Sequence, residues 1–275
     1  MIVSDRHKFA FIHIPKCAGT TVRNRITPYD DLGGAHHERV EDHPVLGPTD
    51  FVHLPLYTLR DHFPEEFDKV RRYWSFAVLR NPKSRFFSAV AQRVRMYRGN
   101  GVQLRQLSEE QIVEEIEAAM AELSGREGRL PPDLIHFQRQ VDYIMLDGEQ
   151  VVDSLYMTSE VDTLLADLAA RVGVEELPQS DLMYVYAENR TLVYKHDTLR
   201  VLVEKLRPSP NSPILKIIPE ALKKRLRSTV YTSSKNQFET IAEKIDVDRF
   251  VASYYADDLA LVAKVKAENS APSSA

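Results

Sequence analysis

With Cys17 as the only cysteine among 275 residues, no intrachain disulfide is possible, which fits a reducing compartment. No apolar run approaches the 18 residues a membrane-spanning helix needs, and the first apolar stretch, at Phe9, lacks the form of a signal-peptide core. The chain therefore reads as soluble, and its native-looking Met1 start agrees with that. Neither sign of charge dominates: Lys and Arg total 36 against 40 Asp and Glu, a formal net charge of -4. That balance gives no general attraction to nucleic acid, so any anion site has to be local. Low-complexity linkers are missing too, and a chain of this length with 43% apolar composition can bury a substantial core. The expectation is one domain over residues 1–268 and a disordered tail over 269–275.

What is present is an apolar strand, Phe9-Ala-Phe-Ile-His-Ile14, running into Pro15-Lys-Cys-Ala-Gly-Thr-Thr21 and then a helix. Successive backbone N–H groups in such a turn, with the positive end of the following helix, attract an oxyanion. Lys16 adds a full charge, and Thr20 and Thr21 add hydroxyl donors. The Walker A ending Gly-Lys-Ser/Thr is absent, because Lys16 precedes Gly19. A second strand-like run, Tyr73–Leu79, ends in Arg80-Asn-Pro-Lys-Ser-Arg-Phe-Phe-Ser88. Arg80 then stands where open α/β sheets place ligands. Pro82 suits a helix start, and Phe86, Val90 and Val94 give that helix an apolar stripe. Alternating strands and helices point to an α/β fold, a P-loop-like central parallel β-sheet flanked by helices.

Together, Ile14-Pro-Lys-Cys-Ala-Gly-Thr-Thr21 and Arg80-Asn-Pro-Lys-Ser-Arg-Phe-Phe-Ser88 resemble the two donor motifs of the sulfotransferases, closest to the carbohydrate (Golgi-type, family 2) branch and its soluble bacterial relatives. The resemblance implies the sulfotransferase fold and the donor 3′-phosphoadenosine 5′-phosphosulfate (PAPS), with the bisphosphate PAP as product. It places Lys16, Cys17, Ala18, Gly19, Thr20 and Thr21 at the 5′ end of the donor and Arg80 and Ser88 at its 3′-phosphate. Fainter similarities follow in order. Val52-His-Leu-Pro55 is similar to a segment whose histidine is the usual base, His136-Phe-Gln-Arg-Gln140 to an H-x-x-x-Q segment, Ser159–Leu164 to a helix start, and Tyr254-Tyr-Ala-Asp-Asp-Leu259 to a Y-x-x-D-[LF] segment of the last helix. The lack of a membrane anchor separates the chain from Golgi-resident relatives and leads to the expectation of a bacterial, cytoplasmic enzyme.

Sulfonate transfer asks for an in-line nucleophile and for stabilisation of charge on the leaving oxygen. Lys16 is the expected partner of that oxygen and His53 the expected general base, since an imidazole titrates near neutrality. No step requires a metal. His36, His37 and His43 lack a recognised ligand spacing. The expected acceptor is a hydroxyl, in a carbohydrate or glycoconjugate. Two other readings compete: a P-loop phosphotransferase using ATP, and a non-catalytic nucleotide-binding module.

Further local expectations are a short strand at Phe51–His53, an irregular insertion from Pro28 to Asp50, and a helix capped by Ser108 and Gln111. A helix is expected from Pro131 to Tyr143 and another from Val161 to Val172 capped by Ser159. Val151–Met157 and Leu182–Tyr186 read as strands, and the chain beyond Pro213 reads as helical to about Lys266.

Overall fold

The computed structural model describes residues 1–37, 40–98, 102, 104–178, 192–194, 231–233, 238, 240, 241 and 243–270. Contacts divide the chain into two units, one of Met1–Ala89, Ser124–Ala187 and Arg249–Ala275, the other of Val90–Leu123 and Glu188–Asp248. The first opens with β1 (Ile2–Ser4), β2 (Phe9–Ile12) and α1 (Gly19–Ile26), then β3 (Glu41–His43) and β4 (Gly47–Thr49). Next come α2 (Leu56–His62), α3 (Pro64–Arg72), β5 (Trp74–Leu79) and the start of α4 (Pro82–Tyr97). After α5 (Glu109–Leu123), the first unit resumes with β6 (Met145–Leu146), β7 (Glu149–Gln150), β8 (Ser154–Met157) and α6 (Val161–Val172). Helices Val247–Tyr254 and Ala256–Ser270 close the chain's described part.

The central sheet has the order β1-β2-β5-β8. Strands β2, β5 and β8 are parallel, with Ile12 opposite Ala77 and Leu79 opposite Met157. The expected α/β architecture is present; β1, antiparallel to β2, makes the sheet mixed. Every residue of β2 is buried, as is β5 from Ser75 to Leu79, which matches strands covered on both faces. Ser75 tolerates this because its N–H and hydroxyl both donate to the Asp153 carboxylate, at 2.8 and 3.1 Å. Val22 and Ile26 of α1, Leu59 of α2, Val70 of α3, Leu164 and Leu168 of α6, and Val262 of the last helix fill the same core.

Local chemistry explains the helix ends. The Asn81 side chain accepts the Ser84 N–H at 3.1 Å, capping α4, and Pro82 takes its first position. Phe86, Val90 and Val94 are buried as their spacing predicts. In the second unit the Ser108 hydroxyl accepts the Gln111 N–H at 3.3 Å while the Gln111 amide accepts the Ser108 N–H at 3.0 Å, the reciprocal cap expected of α5. Helix α6 has the expected bounds, although Glu160, not Ser159, engages the chain before it, accepting the Met157 N–H at 2.7 Å. It stops at Gly173, whose φ of 81° lets its N–H turn back to Ala169.

Three expectations are corrected. Phe51–His53 is a turn, because the Asp50 carboxylate accepts the N–H groups of Val52 (3.0 Å) and His53 (3.2 Å) that a strand would offer a neighbour. Pro131–Tyr143 is broken into two short turns, Ile135–Phe137 and Val141–Tyr143. Its His136 and Phe137 carbonyls accept from Arg85, and Phe137 also from the Tyr255 hydroxyl, so these carbonyls are engaged outside any helix. Beyond Pro213 the chain is not helical throughout: β10 (Tyr231–Ser233) pairs with β9 (Leu192–Tyr194) in an antiparallel ladder. The strand expected from Val151 begins at Ser154. Leu182–Tyr186 and residues 271–275 of the expected tail lie outside the described residues. No helix among the described residues is long and apolar enough to cross a membrane.

Within the insertion, residues 41–49 form the β3–β4 hairpin, which Arg129 holds through the Leu46 carbonyl at 2.9 Å and the Thr49 hydroxyl at 3.4 Å. His36 is buried beside it against the rings of Phe51 and Phe63. Burial lowers its pKa from 6.5 to about 3. Between those values the unfolded chain holds a proton that the folded chain does not, so stability falls as pH drops below about 6.5. Urea unfolding of His36→Leu across pH 4 to 7 is expected to show a flatter acid limb than the parent chain.

Candidate active site

Because β2 and β5 are parallel neighbours, the turn after β2 and the residue after β5 leave the sheet at one edge. Lys16 (φ 64°) and Ala18 (φ 57°) are both left-handed, a conformation costing about 1–2 kcal/mol for a residue with a side chain. They curl the chain into the start of α1, where the Thr21 N–H donates to the Ala18 carbonyl at 3.0 Å. The first N–H groups of any helix lack intrahelical acceptors. Here the first turn carries no acidic residue and the last turn carries Arg23 and Arg25, a charge order that leaves the N-terminal field open to an anion. Gly19 is required for a different reason. A β-carbon there would lie 2.0 Å from the His13 ring, so only glycine admits that imidazole beneath the turn.

Arg80 emerges from β5 half-buried, and its Nη1 donates to the Lys16 carbonyl at 3.3 Å. Burial holds its guanidinium below the ordinary value, with nearby Arg85 adding to the effect, so a bound anion would relieve an uncomfortable cation. Gln140 joins the two turns. Its Oε1 accepts the Arg80 N–H at 2.9 Å and the Cys17 thiol at 3.3 Å, and its Nε2 donates to the Arg80 carbonyl at 2.9 Å. Beneath it, Asp258 accepts the N–H groups of Gln140 (2.9 Å) and Val141 (3.0 Å) and pairs with Arg85 at 3.6 Å. Arg85, Gln140 and Asp258 are all fully buried. Burial pushes the Asp258 carboxyl up, against the pull of Arg85 and the two N–H donors.

His53 is buried in the turn made by Asp50. Its Nδ1 lies 2.9 Å from the His13 carbonyl; a carbonyl only accepts, so Nδ1 carries a hydrogen, and in the neutral ring Nε2 keeps the lone pair. The His13 and His53 rings meet edge-on with centroids 4.6 Å apart, which sets His53 one imidazole away from Gly19. The His136 ring lies 5.5 Å from that of His53, centroid to centroid. Asp50, His53 and His136 each bring a ligating atom within 4.8 Å of the others, the one set among the described residues able to hold a metal ion. The same carboxylate beside two imidazoles also suits the handling of a proton.

The structure thus brings together the Lys16 turn, Gly19, Arg80 and, through His13, His53. Cys17 and Ala18 are the bends of the turn; Thr20 is half-buried and Thr21 exposed. Ser88 is half-buried on α4, two turns beyond Arg80 in sequence. Arg93 and Arg98, in the second unit, pair with Glu122 and Glu115. Sequence reasoning assigned no role to Gln140 or Asp258, although each sits in a segment it had marked, nor to Asp50, whose side chain shapes the His53 turn.

A model of the Sulfotransferase family matches residues 1–145, more than half of the 275, and that span contains the cradle, His53, Arg80 and Ser88. No curated protein and no solved structure matches the chain.

Burial raises the Cys17 thiol from 9.0 to about 12, so hardly any thiolate forms near neutrality. Native protein treated with iodoacetamide at pH 8 is expected to stay unmodified at Cys17 by mass spectrometry, and to react fully once unfolded in urea.

Proposed function

Since the chain belongs to the Sulfotransferase family and is a transferase of sulfonate groups, we propose that its donor is PAPS and its acceptor a hydroxyl of a carbohydrate or glycoconjugate. The observation that carries the donor assignment is the 3.3 Å approach of the Arg80 guanidinium to the Lys16 carbonyl. Two anion-seeking turns this close suit one ligand with a phosphate group at each end. In this reading the N–H groups from Lys16 to Thr20, with the Lys16 ammonium and the Thr20 and Thr21 hydroxyls, hold the 5′ phosphosulfate. Arg80 and Ser88 hold the 3′-phosphate, where a charge-assisted hydrogen bond to a guanidinium is strong.

Chemistry follows from the same groups. His53 Nε2 takes the acceptor's proton as the new oxygen–sulfur bond forms. The bond from sulfur to the bridging oxygen breaks on the opposite side, and Lys16 stabilises the negative charge left on that oxygen. The His13 carbonyl keeps the His53 ring in the tautomer this step needs. The proposed step uses no metal. Preference for a sugar hydroxyl rests on the resemblance of the donor motifs to the carbohydrate branch.

Thermal unfolding with PAP, with ATP and magnesium, and with AMP tests the donor. PAP at about 100 times its dissociation constant is expected to add roughly 2.7 kcal/mol of stability. Stabilisation by ATP with magnesium and none by PAP would overturn the assignment. Turnover of labelled PAPS on a panel of glycans, in buffer containing EDTA, tests the base. The His53→Gln variant is expected to lose about 10²–10⁴-fold in kcat with its stabilisation by PAP unchanged. Undiminished turnover would remove His53 from the mechanism.

A further inference from the structure

Gln140 is buried completely, yet it is neither a base nor a group with charge to offer a substrate. Its amide is engaged with both turns. The oxygen accepts from the Arg80 N–H and the Cys17 thiol, and the nitrogen donates to the Arg80 carbonyl. Paired bonds to the N–H and C=O of one residue fix Arg80's main chain in position and orientation, while the thiol bond reaches the middle of the cradle. The main chain of Gln140 is itself anchored. Its N–H donates to Asp258, which is clamped by Arg85, and Arg85 also holds the His136 and Phe137 carbonyls.

We propose that Gln140 is a positioning residue that sets the separation of the two phosphate subsites, and so selects a ligand carrying phosphates at both the 3′ and 5′ ends of one nucleoside. The inference rests on the donor reading above. A glutamine suits this place because its uncharged amide offers an acceptor and a donor on one rigid plane. Glutamate would set a carboxylate oxygen against the Arg80 carbonyl; asparagine keeps both groups on a stem one methylene shorter. A ligand that bridges two subsites gains from a fixed spacing, because the second contact then needs no further ordering of the protein. A ligand with one phosphate has no such gain to lose.

Titration calorimetry with PAP, 5′-AMP and 3′-AMP on the parent chain, Gln140→Met and Gln140→Asn reads this difference. In both variants the Kd for PAP is expected to rise by about tenfold or more, the scale set by losing one or two buried hydrogen bonds, while either monophosphate changes by less than about threefold. In turnover, KM for PAPS should rise and KM for the acceptor hold. An equal loss for all three ligands means general damage and overturns the positioning role; absence of PAP binding to the parent chain overturns the donor reading first. Should neither variant fold, hydrogen exchange at the Arg80 N–H of the parent chain decides. PAP is expected to slow it and neither monophosphate to do so, and equal slowing by all three rejects the proposal.

Discussion

With Ile12 opposite Ala77 in a parallel ladder, the chain leaves β2 and β5 side by side at one edge of the sheet, and the whole site is a consequence of that pairing. The turn after β2 bends back through two left-handed residues into α1; the residue after β5 is an arginine whose guanidinium reaches the carbonyl of Lys16. Had the two strands been separated by a third, the same residues would stand about 10 Å apart, at twice the strand spacing. The hydrophobic burial of both strands therefore determines more than stability. It brings two cation-bearing turns together and keeps them there while like charge pushes them apart.

A buried polar layer counters that repulsion. Arg85 and Asp258 form an ion pair wholly removed from water, and such a pair contributes little net stability on its own because desolvation offsets its attraction. Its contribution here is geometric. Each partner also holds main-chain groups of residues 136–141, a stretch that would otherwise leave N–H and C=O groups unsatisfied in the interior. The broken segment after Pro131 is thus stable without being a helix, and it can present His136 toward His53 and Gln140 toward Arg80.

Much of this was legible in the residues. Apolar runs at Phe9–Ile14 and Tyr73–Leu79 identify buried strands, Pro82 and the Phe86 stripe identify α4, and Lys16 and Arg80 stand out because each follows such a strand. Two of the errors share one cause, side-chain capture of backbone groups, which no periodicity registers. Asp50 turns Phe51–His53 away from a strand by taking two N–H groups, and Arg85 takes carbonyls that the expected Pro131–Tyr143 helix would have used. Gln140 and Asp258 sat in marked segments, but their meaning depends on partners 60 and 118 residues away. The insertion's hairpin was hidden by its glycines and prolines, and Ser88 remains placed by its helix alone.

His13 occupies the space that a β-carbon at position 19 would need, and its main-chain oxygen steadies His53. A larger residue at 19 therefore displaces an imidazole before it crowds any bound group. Under the proposed function, nucleotide grip and proton removal would share a single steric tolerance at this point, and neither half of the site would be free to drift without the other. On that reading, an alanine at position 19 would look like a binding lesion while acting, in part, by misaligning His53.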